Sequence, residues 1–305
     1  MDKFHVREFA NRPAPSQEYL IEGILPLGAI GDISGMPGQG KSTLALLMAD
    51  AVSQGLPWFG KKTRQMAVAW ITGEASGKDA IHRDCVRLGI DFEESDILFI
   101  RAEKEMFRFD RLSECWITTD EGGQILKGLR DCRIGFAIID TIGSVVAGLR
   151  EIDNDQQRQL ARHLRSEFAE TSLLTISHTN QSSAKDDLSW RLHYLSRAGG
   201  NGFPGAIRWA AGVSELSPEE IQAFNIARTP GSRYVAFGIS KYNEMPRPEY
   251  SNHSPAIFEI RADGGVEMVK VRHLGAEANL TSGADGVTTK ARKGVRDERE
   301  RRAVF

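Results

Sequence analysis

At residues 35–42 the chain reads Gly35-Met36-Pro37-Gly38-Gln39-Gly40-Lys41-Ser42, which matches the phosphate-binding pattern G-x-x-x-x-G-K-[ST] at every position. The glycines of this pattern let the backbone curl, so that successive N–H groups converge on an anion. The lysine supplies a positive charge for the β- and γ-phosphates, and the serine offers a hydroxyl to Mg²⁺. We therefore expect ATP and Mg²⁺ here, with nucleotide contacts from Gly35, Pro37, Gly38, Gln39, Gly40, Lys41, Ser42 and Thr43.

The segments on either side of this loop favour the same interpretation. Residues 29–34 form a short apolar run that predicts a strand, and residues 43–52 form a longer one that predicts a buried helix. A strand, a glycine loop and a helix in this order are what the motif requires. The alternative is a glycine-rich turn without a ligand, which does not require these neighbours.

Composition limits the class of protein. The chain has 305 residues, of which 41% are hydrophobic and 26% are charged, as is typical of a soluble globular protein. Its formal net charge is −2, so any binding of nucleic acid must depend on a local basic surface. The three cysteines fit no zinc-binding spacing. Because the chain shows neither a signal-peptide core nor a bilayer-length apolar run, we expect a cytoplasmic protein with no membrane partner.

Apolar strands alternate with helical segments from Gly28 to about Val271, and this order predicts a doubly wound α/β fold. Several strands are apolar throughout, as in a parallel sheet that helices cover on both faces. The later strands lie closer together, and Asp263-Gly264-Gly265 predicts a hairpin turn. The predicted strands are 29–34, 66–72, 96–101, 134–140, 172–178, 206–212 and 233–240, and the predicted helices are about 41–54, 77–89, 121–131, 153–170 and 217–224.

Three parts follow from this organisation. We expect an N-terminal arm at 1–27, one ATPase domain at 28–274 and a disordered charged tail at 275–305. The tail loses its periodicity after Gly275 and ends in a run rich in lysine and arginine. It is either a solvated end without a role or a tether for DNA or a partner protein.

Two carboxylates follow predicted strands. The apolar run 136–139 ends at Asp140, which is the arrangement of a Walker B strand, and we expect Asp140 to hold Mg²⁺ through water beside Ser42. No glutamate follows Asp140, so a general base must come from elsewhere. Glu74 follows the predicted strand 66–72, at the edge where open α/β sheets bind ligands, and it could orient and deprotonate the attacking water. The alternative role of Glu74 is a favourable charge at a helix N-terminus.

His178 ends the predicted strand 172–178. A polar side chain at this position can contact the γ-phosphate and respond to its loss. The alternative is a histidine that terminates the strand and has no part in the reaction.

Several blocks of sequence together resemble one known family. They are similar to RecA-fold ATPases, and most closely to the RepA-type hexameric replicative helicases of broad-host-range plasmids. The resemblance implies a RecA-like P-loop NTPase fold, with a mostly parallel sheet flanked by helices and with C-terminal antiparallel hairpins. The blocks are IEGILPLGAIGDISGMPGQGKSTLAL, ITGEASGKDAIHRDCVRLGI, FAIIDTIGSV, LLTISHTNQSS, and AIRWAAGVSEL with FGISKYNE, and they extend from about Ile21 to Glu244.

The resemblance implies roles for individual residues. Glu74 matches the family's catalytic glutamate, Asp140 its Walker B aspartate and His178 a histidine of its sensor motif. Arg208 matches the arginine finger that reaches into the neighbouring subunit's site, and Lys241 matches a basic residue near the same interface. An arginine finger stabilises the charge that develops on the transferred phosphoryl group.

The resemblance also implies partners. Proteins of this family form rings, bind ATP between subunits and translocate on single-stranded DNA. We therefore expect a homo-oligomer in the form of a hexameric ring, single-stranded DNA as its track, and replication initiator or primase proteins as candidate partners. Two features depart from the family: the segment Thr141-Ile142-Gly143-Ser144 lacks the expected basic residues, and Ser177 stands where the family has the first of two paired histidines.

Two segments that follow strand ends, Ile142–Asp155 and Thr179–Gly202, are the candidate DNA-binding loops. Basic side chains interleaved with aromatic ones suit a single strand, through phosphate charge and base stacking. The alternative is a flexible loop without a ligand. The residues concerned in the second segment are Lys185, Trp190, Arg191, Tyr194 and Arg197.

The sequence thus predicts an Mg²⁺-dependent ATPase of the replicative helicase type that serves a plasmid or mobile element. One alternative is a RecA-like recombination, repair or regulatory ATPase without helicase activity, and another is a module whose ATP-gated assembly is its output. The predicted catalytic residues are Lys41, Glu74, His178 and Arg208, the predicted metal ligands are Ser42 and Asp140, and Lys241 is added to the nucleotide contacts.

Overall fold

The structure is a computed structural model, and it describes residues 16–74, 77–150, 153–243 and 245–269. The chain divides into two units, Met1–Val271 and Arg272–Phe305, and every described residue belongs to the first. The charged tail predicted at 275–305 and the first fifteen residues of the predicted arm lie outside the described residues.

Short strands and helices alternate along the described chain, as the sequence predicts. The strands are β1 (Tyr19–Ile21), β2 (Leu25–Pro26), β3 (Ile30–Gly35), β4 (Val68–Thr72), β5 (Ile97–Arg101), β6 (Phe107–Asp110), β7 (Cys115–Thr118), β8 (Phe136–Asp140), β9 (Val146–Ala147), β10 (Ser172–His178), β11 (Trp209–Glu215), β12 (Arg233–Tyr242), β13 (Ala256–Ile260) and β14 (Val266–Val269). The α-helices are α1 (Lys41–Gln54), α2 (Gly77–Leu88), α3 (Asp120–Asp131), α4 (Asn154–Glu167), α5 (Leu188–Arg191), α6 (Gly202–Ala206) and α7 (Pro218–Ala223), and 3₁₀ turns lie at Ile142–Ser144, Gln181–Lys185 and Tyr194–Ser196.

A nine-stranded sheet is the centre of this unit, in the order β14-β13-β12-β11-β3-β10-β8-β4-β5. The strands from β11 to β5 are all parallel. The last three strands extend the sheet by antiparallel pairing. The predicted fold class is therefore confirmed. We call the edge at which the parallel strands end the carboxyl edge, and the opposite one the amino edge.

Helices bury both faces of the sheet, which explains why its strands are apolar throughout. In β8, Phe136 and Ile138 pack into the core on the α1 side. Ala137 and Ile139 pack into a second core on the other side, which includes residues of α3 and α4. Among the described residues, no helix has both the length and the apolar character needed to cross a lipid bilayer.

Residues 19–27, which the sequence places in an arm, pack into the domain core. β1 and β2 pair with each other, and Leu20, Ile21 and Leu25 are buried in the α1-side core. A second feature that the pattern did not predict is a small sheet of order β7-β6-β9. Its strands have four residues or fewer, which is too short for periodicity to distinguish them from a loop.

The predicted loop 179–202 is folded onto the sheet. The side chain of Asp187 caps α5 by accepting a hydrogen bond from the N–H of Trp190, at 2.9 Å. Leu192 packs into an apolar cluster with Ile221 of α7. The strand predicted at 206–212 begins later, at Trp209, because residues 202–206 form α6.

Candidate active site

The phosphate-binding loop lies at the carboxyl edge, between β3, which ends at Gly35, and α1, which begins at Lys41. Gly38 and Gly40 have φ angles of 76° and 89°, in the left-handed region that favours glycine. A Cβ atom at Gly35 would lie 2.3 Å from the carbonyl oxygen of Val213. The glycines are therefore required by the backbone path of the loop, as the motif implies.

Lys41 is buried at the start of α1, and only 5% of it is exposed. Its ammonium donates a hydrogen bond to the carbonyl oxygen of Met36 within the loop, at 2.9 Å. Burial lowers the pKa of Lys41, and the charges of Asp140, Asp32 and Glu74 oppose this shift. A cation that is buried beside a curled loop of N–H groups is suited to neutralise phosphate.

Ser42 and Asp140 lie together beside Lys41. The Ser42 hydroxyl donates a hydrogen bond to the Asp140 carboxylate; burial raises the pKa of Asp140, and this bond opposes the rise. A hydroxyl and a carboxylate oxygen fit Mg²⁺, which prefers oxygen ligands and usually binds through one or two carboxylates and substrate phosphates. In the described part of the chain, no group of three or more His, Cys, Asp or Glu residues is arranged to hold a metal ion.

Glu74 lies just beyond the end of β4, with its side chain exposed. Its N–H donates to the hydroxyl of Thr72, at 3.1 Å. Its charge acts on Lys41, Asp140 and His178, so the structure brings these four predicted residues together. A cavity of about 220 Å³ lies here, and its walls include Ser42, Thr43, Thr72, Glu74, Asp140 and Ile81.

Ser144 supports Glu74 and was not predicted. Its hydroxyl accepts a hydrogen bond from the N–H of Gly73, at 3.1 Å, and donates one to the carbonyl oxygen of Thr141, at 2.7 Å. A Cβ atom at Gly73 would lie 2.3 Å from the carbonyl oxygen of Ser144. The segment after Asp140, which lacks the basic residues of the plasmid helicases, therefore holds the backbone next to Glu74.

His178 ends β10 at the carboxyl edge, where it is paired in register with Gly35. Its side chain is exposed. Partial burial and the charge of Lys41 lower the pKa of His178, and the charge of Glu74 opposes them. Both effects favour the neutral form of the imidazole, which lies beside the phosphate-binding loop.

Comparison with known families supports the same chemistry. A family model described as an AAA domain matches residues 2–184, which is more than half of the 305 residues. The chain belongs to this family. It is a P-loop ATPase, and its general architecture is RecA-like, as the sequence implies. No curated protein matches the chain at a significant level.

The matched part of this AAA domain protein contains the loop, Glu74, Asp140 and His178, and it ends before β11. Beyond it, Arg233 makes a contact that sequence reasoning missed. Its guanidinium donates to the carbonyl oxygen of Gly38, at 2.7 Å. No local signal marks this arginine, because the contact depends on the antiparallel return of β12 to the carboxyl edge.

Arg208 and Lys241 lie at the amino edge of the AAA domain protein, away from its own phosphate-binding loop. Trp209, which follows Arg208, is in register with Gly31 of β3. Gly31 and Gly35 are four residues apart, or about 13 Å along a strand. Lys241 is opposite Ala210 on the next strand, at the same end of the sheet.

Lys241 was predicted to bind nucleotide, but in its own chain it has another contact. Its ammonium donates to the carbonyl oxygens of Pro204 and Gly205, at 2.7 Å each, and so caps α6. Burial lowers the pKa of Lys241, and the charge of nearby Arg208 adds to the shift. Arg208 itself is exposed. The structure therefore does not bring either residue to the nucleotide site of the same chain.

Two of the three basic residues predicted to contact DNA in 179–202 form ion pairs within the chain. Arg191 bonds both carboxylate oxygens of Glu220, at 2.6 Å. Arg197 is 7% exposed and lies 3.5 Å from the carboxylate of Asp32. Lys185 and Trp190 are exposed. The basic surface of this segment is therefore smaller than its sequence indicates.

Proposed function

We propose that this ATPase hydrolyses ATP with Mg²⁺ in a ring in which neighbouring subunits complete each active site. The observation that carries the proposal is the separation of two sets of residues. Lys41, Glu74 and Asp140 converge at the carboxyl edge, whereas Arg208 lies at the amino edge. An arginine finger at that position can act only on the nucleotide of another subunit, and a head-to-tail contact that repeats in this way forms a ring where the rotation between subunits closes and an open filament where it does not.

The chemistry follows from where each side chain lies. Lys41 neutralises charge on the phosphates, and Ser42 and Asp140 hold the metal. When bound, Mg²⁺ supplies positive charge to the phosphate oxygens of the nucleotide. Glu74 orients the attacking water and accepts its proton, and Arg208 of the next subunit stabilises the charge on the transferred group.

His178 complements this set as a neutral hydrogen-bonding group beside the loop. Partial burial and the charge of Lys41 lower the pKa of His178 and favour its neutral form. The imidazole can then respond to loss of the γ-phosphate through a hydrogen bond. This role is the one that the RecA-like resemblance implies for it.

We further propose that the ring moves along single-stranded DNA and unwinds duplex in plasmid or mobile-element replication, with an initiator or primase as a partner. The resemblance of the sequence blocks supports this role. A structural observation also favours it: Trp190 is 42% exposed and stacks on His193, with ring centroids 5.1 Å apart. Exposed aromatic rings serve as base-stacking platforms for single strands.

The competing function is a RecA-like recombination, repair or regulatory ATPase that does not unwind DNA. The ion pairs of Arg191 and Arg197 favour it, because they remove two cations from the surface where DNA would lie. A RecA-like ATPase of that kind needs the same nucleotide site. The two functions therefore share ATP hydrolysis at this site and differ in whether the protein moves along DNA or acts on another partner.

ATP turnover with and without single-stranded DNA, at one stated salt concentration, separates these functions. The helicase proposal predicts that single-stranded DNA strongly stimulates ATP turnover. Trp190→Ala should lower the affinity for that DNA by about tenfold, the size expected for loss of one stacked base. Phe92→Ala is the matched control, because Phe92 is also an exposed aromatic residue, at 58%. Turnover that is indifferent to DNA would contradict the helicase proposal and leave the ATPase in place.

A further inference from the structure

Asp32 is a buried carboxylate in the strand that leads to the phosphate-binding loop. It lies within β3 and is 2% exposed. Thr175 and Ser177 of the neighbouring strand β10 donate hydrogen bonds to its two carboxylate oxygens, at 2.7 Å each. Arg197 is its charged partner, with the guanidinium Nε 3.5 Å from one carboxylate oxygen. The two hydroxyls and the cation compensate a charge that would otherwise be costly to bury.

Arg197 connects this carboxylate to the residues that follow β10. Its side chain is buried against the ring of Phe203, with the guanidinium carbon 4.6 Å from the ring centroid. Its backbone forms a bridge with Thr179. The next residue, Ala198, donates a hydrogen bond to the carbonyl oxygen of His178, at 2.7 Å. One short stretch of chain thus holds β3 through a side chain and His178 through its backbone.

We propose that Arg197 is a positioning residue for ATP turnover: through its ion pair with Asp32 it fixes the end of β10, and with it His178, against the strand that carries the phosphate-binding loop. His178 and Gly35 are paired in register, so a shift between the two strands would displace the imidazole from the loop. The inference rests on ATP hydrolysis at this site. It depends neither on ring formation nor on DNA.

The energetics of buried ion pairs make this role testable. Removal of one partner leaves an unpaired buried charge and destabilises the fold, whereas removal of both is often neutral or stabilising. If the ion pair served only the stability of the fold, removal of both partners together would therefore leave ATP turnover unchanged. A pair that positions His178 would not be dispensable, because the neutral variant keeps the fold and loses the link from β3 to the segment that holds the backbone of His178.

The experiment compares Arg197→Met, Arg197→Lys and the double variant Asp32→Asn/Arg197→Met, without DNA. Arg197→Met should lower kcat by about tenfold, within the range of coupling between contacting residues, and leave nucleotide affinity within about twofold. Arg197→Lys should recover part of kcat, because it keeps the charge opposite Asp32. The double variant should recover thermal stability and not kcat.

Arg191→Met is the matched control. Arg191 belongs to the same segment, is 14% exposed, and also forms an ion pair, with Glu220. Glu220 lies in α7, so this ion pair joins α5 to α7 and includes no residue of β3 or β10. Arg191→Met should therefore lose stability and keep the wild-type kcat.

Two results would overturn the proposal: a folded Arg197→Met protein with wild-type kcat at saturating ATP, or an equal loss of kcat in Arg191→Met. If Arg197→Met does not fold, the double variant decides, because it contains no unpaired buried charge. Wild-type kcat in the folded double variant excludes a positioning role for the pair. A wild-type enzyme that hydrolyses ATP without any response to DNA would remove the helicase proposal and leave this inference intact.

Discussion

The guanidinium of Arg233 donates a hydrogen bond to the carbonyl oxygen of Gly38, across 2.7 Å, and so contacts the phosphate-binding loop from β12, two strands away from β3 at the same carboxyl edge. Arg233 opens β12 and also lies 3.3 Å from the carboxylate of Glu215, at the end of β11. Carbonyl oxygens are the groups of such a loop that repel phosphate. We infer that Arg233 helps to hold the loop in the conformation that binds ATP.

Arg233→Met should weaken ATP binding by about fivefold, as expected for loss of one partly exposed hydrogen bond to a charged group, with little change in kcat. The measurement is equilibrium binding of a fluorescent ATP analogue. Arg261→Met is the control, because Arg261 is similarly exposed and pairs with Glu267 on the neighbouring hairpin. Equal affinities of the wild type and Arg233→Met would show that the contact does not organise the loop.

Lys41→Ala should lose ATP turnover by at least about a hundredfold, the size found when one electrostatic contact to the reacting group is removed. The ammonium lies within the loop, where it donates a hydrogen bond to the carbonyl oxygen of Met36 at 2.9 Å. Steady-state phosphate release measures the effect. Turnover within tenfold of the wild type would remove Lys41 from the phosphate site.

Glu74→Gln should bind ATP with wild-type affinity and lose turnover by roughly 10²–10⁴-fold, the range of general base catalysis. The amide keeps the size of the side chain and cannot accept the proton of the attacking water. Binding and single-turnover hydrolysis, measured on one preparation, separate the two effects. Full activity in this variant would assign the base to another residue.

The acid limb of the pH–rate profile should depend on Mg²⁺. Burial raises the pKa of Asp140 above its ordinary value of 3.8, so this carboxyl becomes protonated, and loses its capacity to hold the metal, at a higher pH than an exposed aspartate would. Because Mg²⁺ binds the deprotonated form, a higher Mg²⁺ concentration should move the acid midpoint to lower pH. Profiles at two Mg²⁺ concentrations that share one midpoint would contradict this role of Asp140.

The sequence predicted the parts of the site that depend on local pattern. The loop 35–42, the strand that ends at Asp140 and the strand that ends at His178 are each defined by adjacent residues, and parallel strands place their ends at one edge. The parallel part of the sheet followed from the same alternation, and Asp263-Gly264-Gly265 predicted the hairpin of β13 and β14. These features need no knowledge of distant contacts.

The features that the sequence did not predict depend on distant pairing. The contact of Arg233 with Gly38 joins residues 195 positions apart and requires the register of β12 on β11. The ion pair of Arg197 with Asp32 also joins residues that are distant in the sequence. Because of this pair Arg197, which the sequence offered as a DNA contact, is buried. α6 was missed because a five-residue helix with two glycines and a proline, Gly202–Ala206, has poor intrinsic helix propensity.

Mixed rings of Arg208→Ala and Lys41→Ala subunits test the central claim, a site that two subunits complete, most directly. Each variant alone should be inactive, and a mixture contains interfaces with an intact loop from one subunit and an intact arginine from its neighbour. We predict that turnover appears on mixing and reaches roughly one quarter of the wild-type rate at equal amounts, as random head-to-tail assembly requires.

A mixture of Lys41→Ala with Glu74→Gln is the control for the mixing experiment. Both of these residues belong to the carboxyl-edge site of one chain, so no interface in that mixture is complete and no activity should appear. Recovery in the Arg208 mixture alone is the result that this account predicts. No recovery at any ratio, with exchange of subunits shown independently, would contradict it.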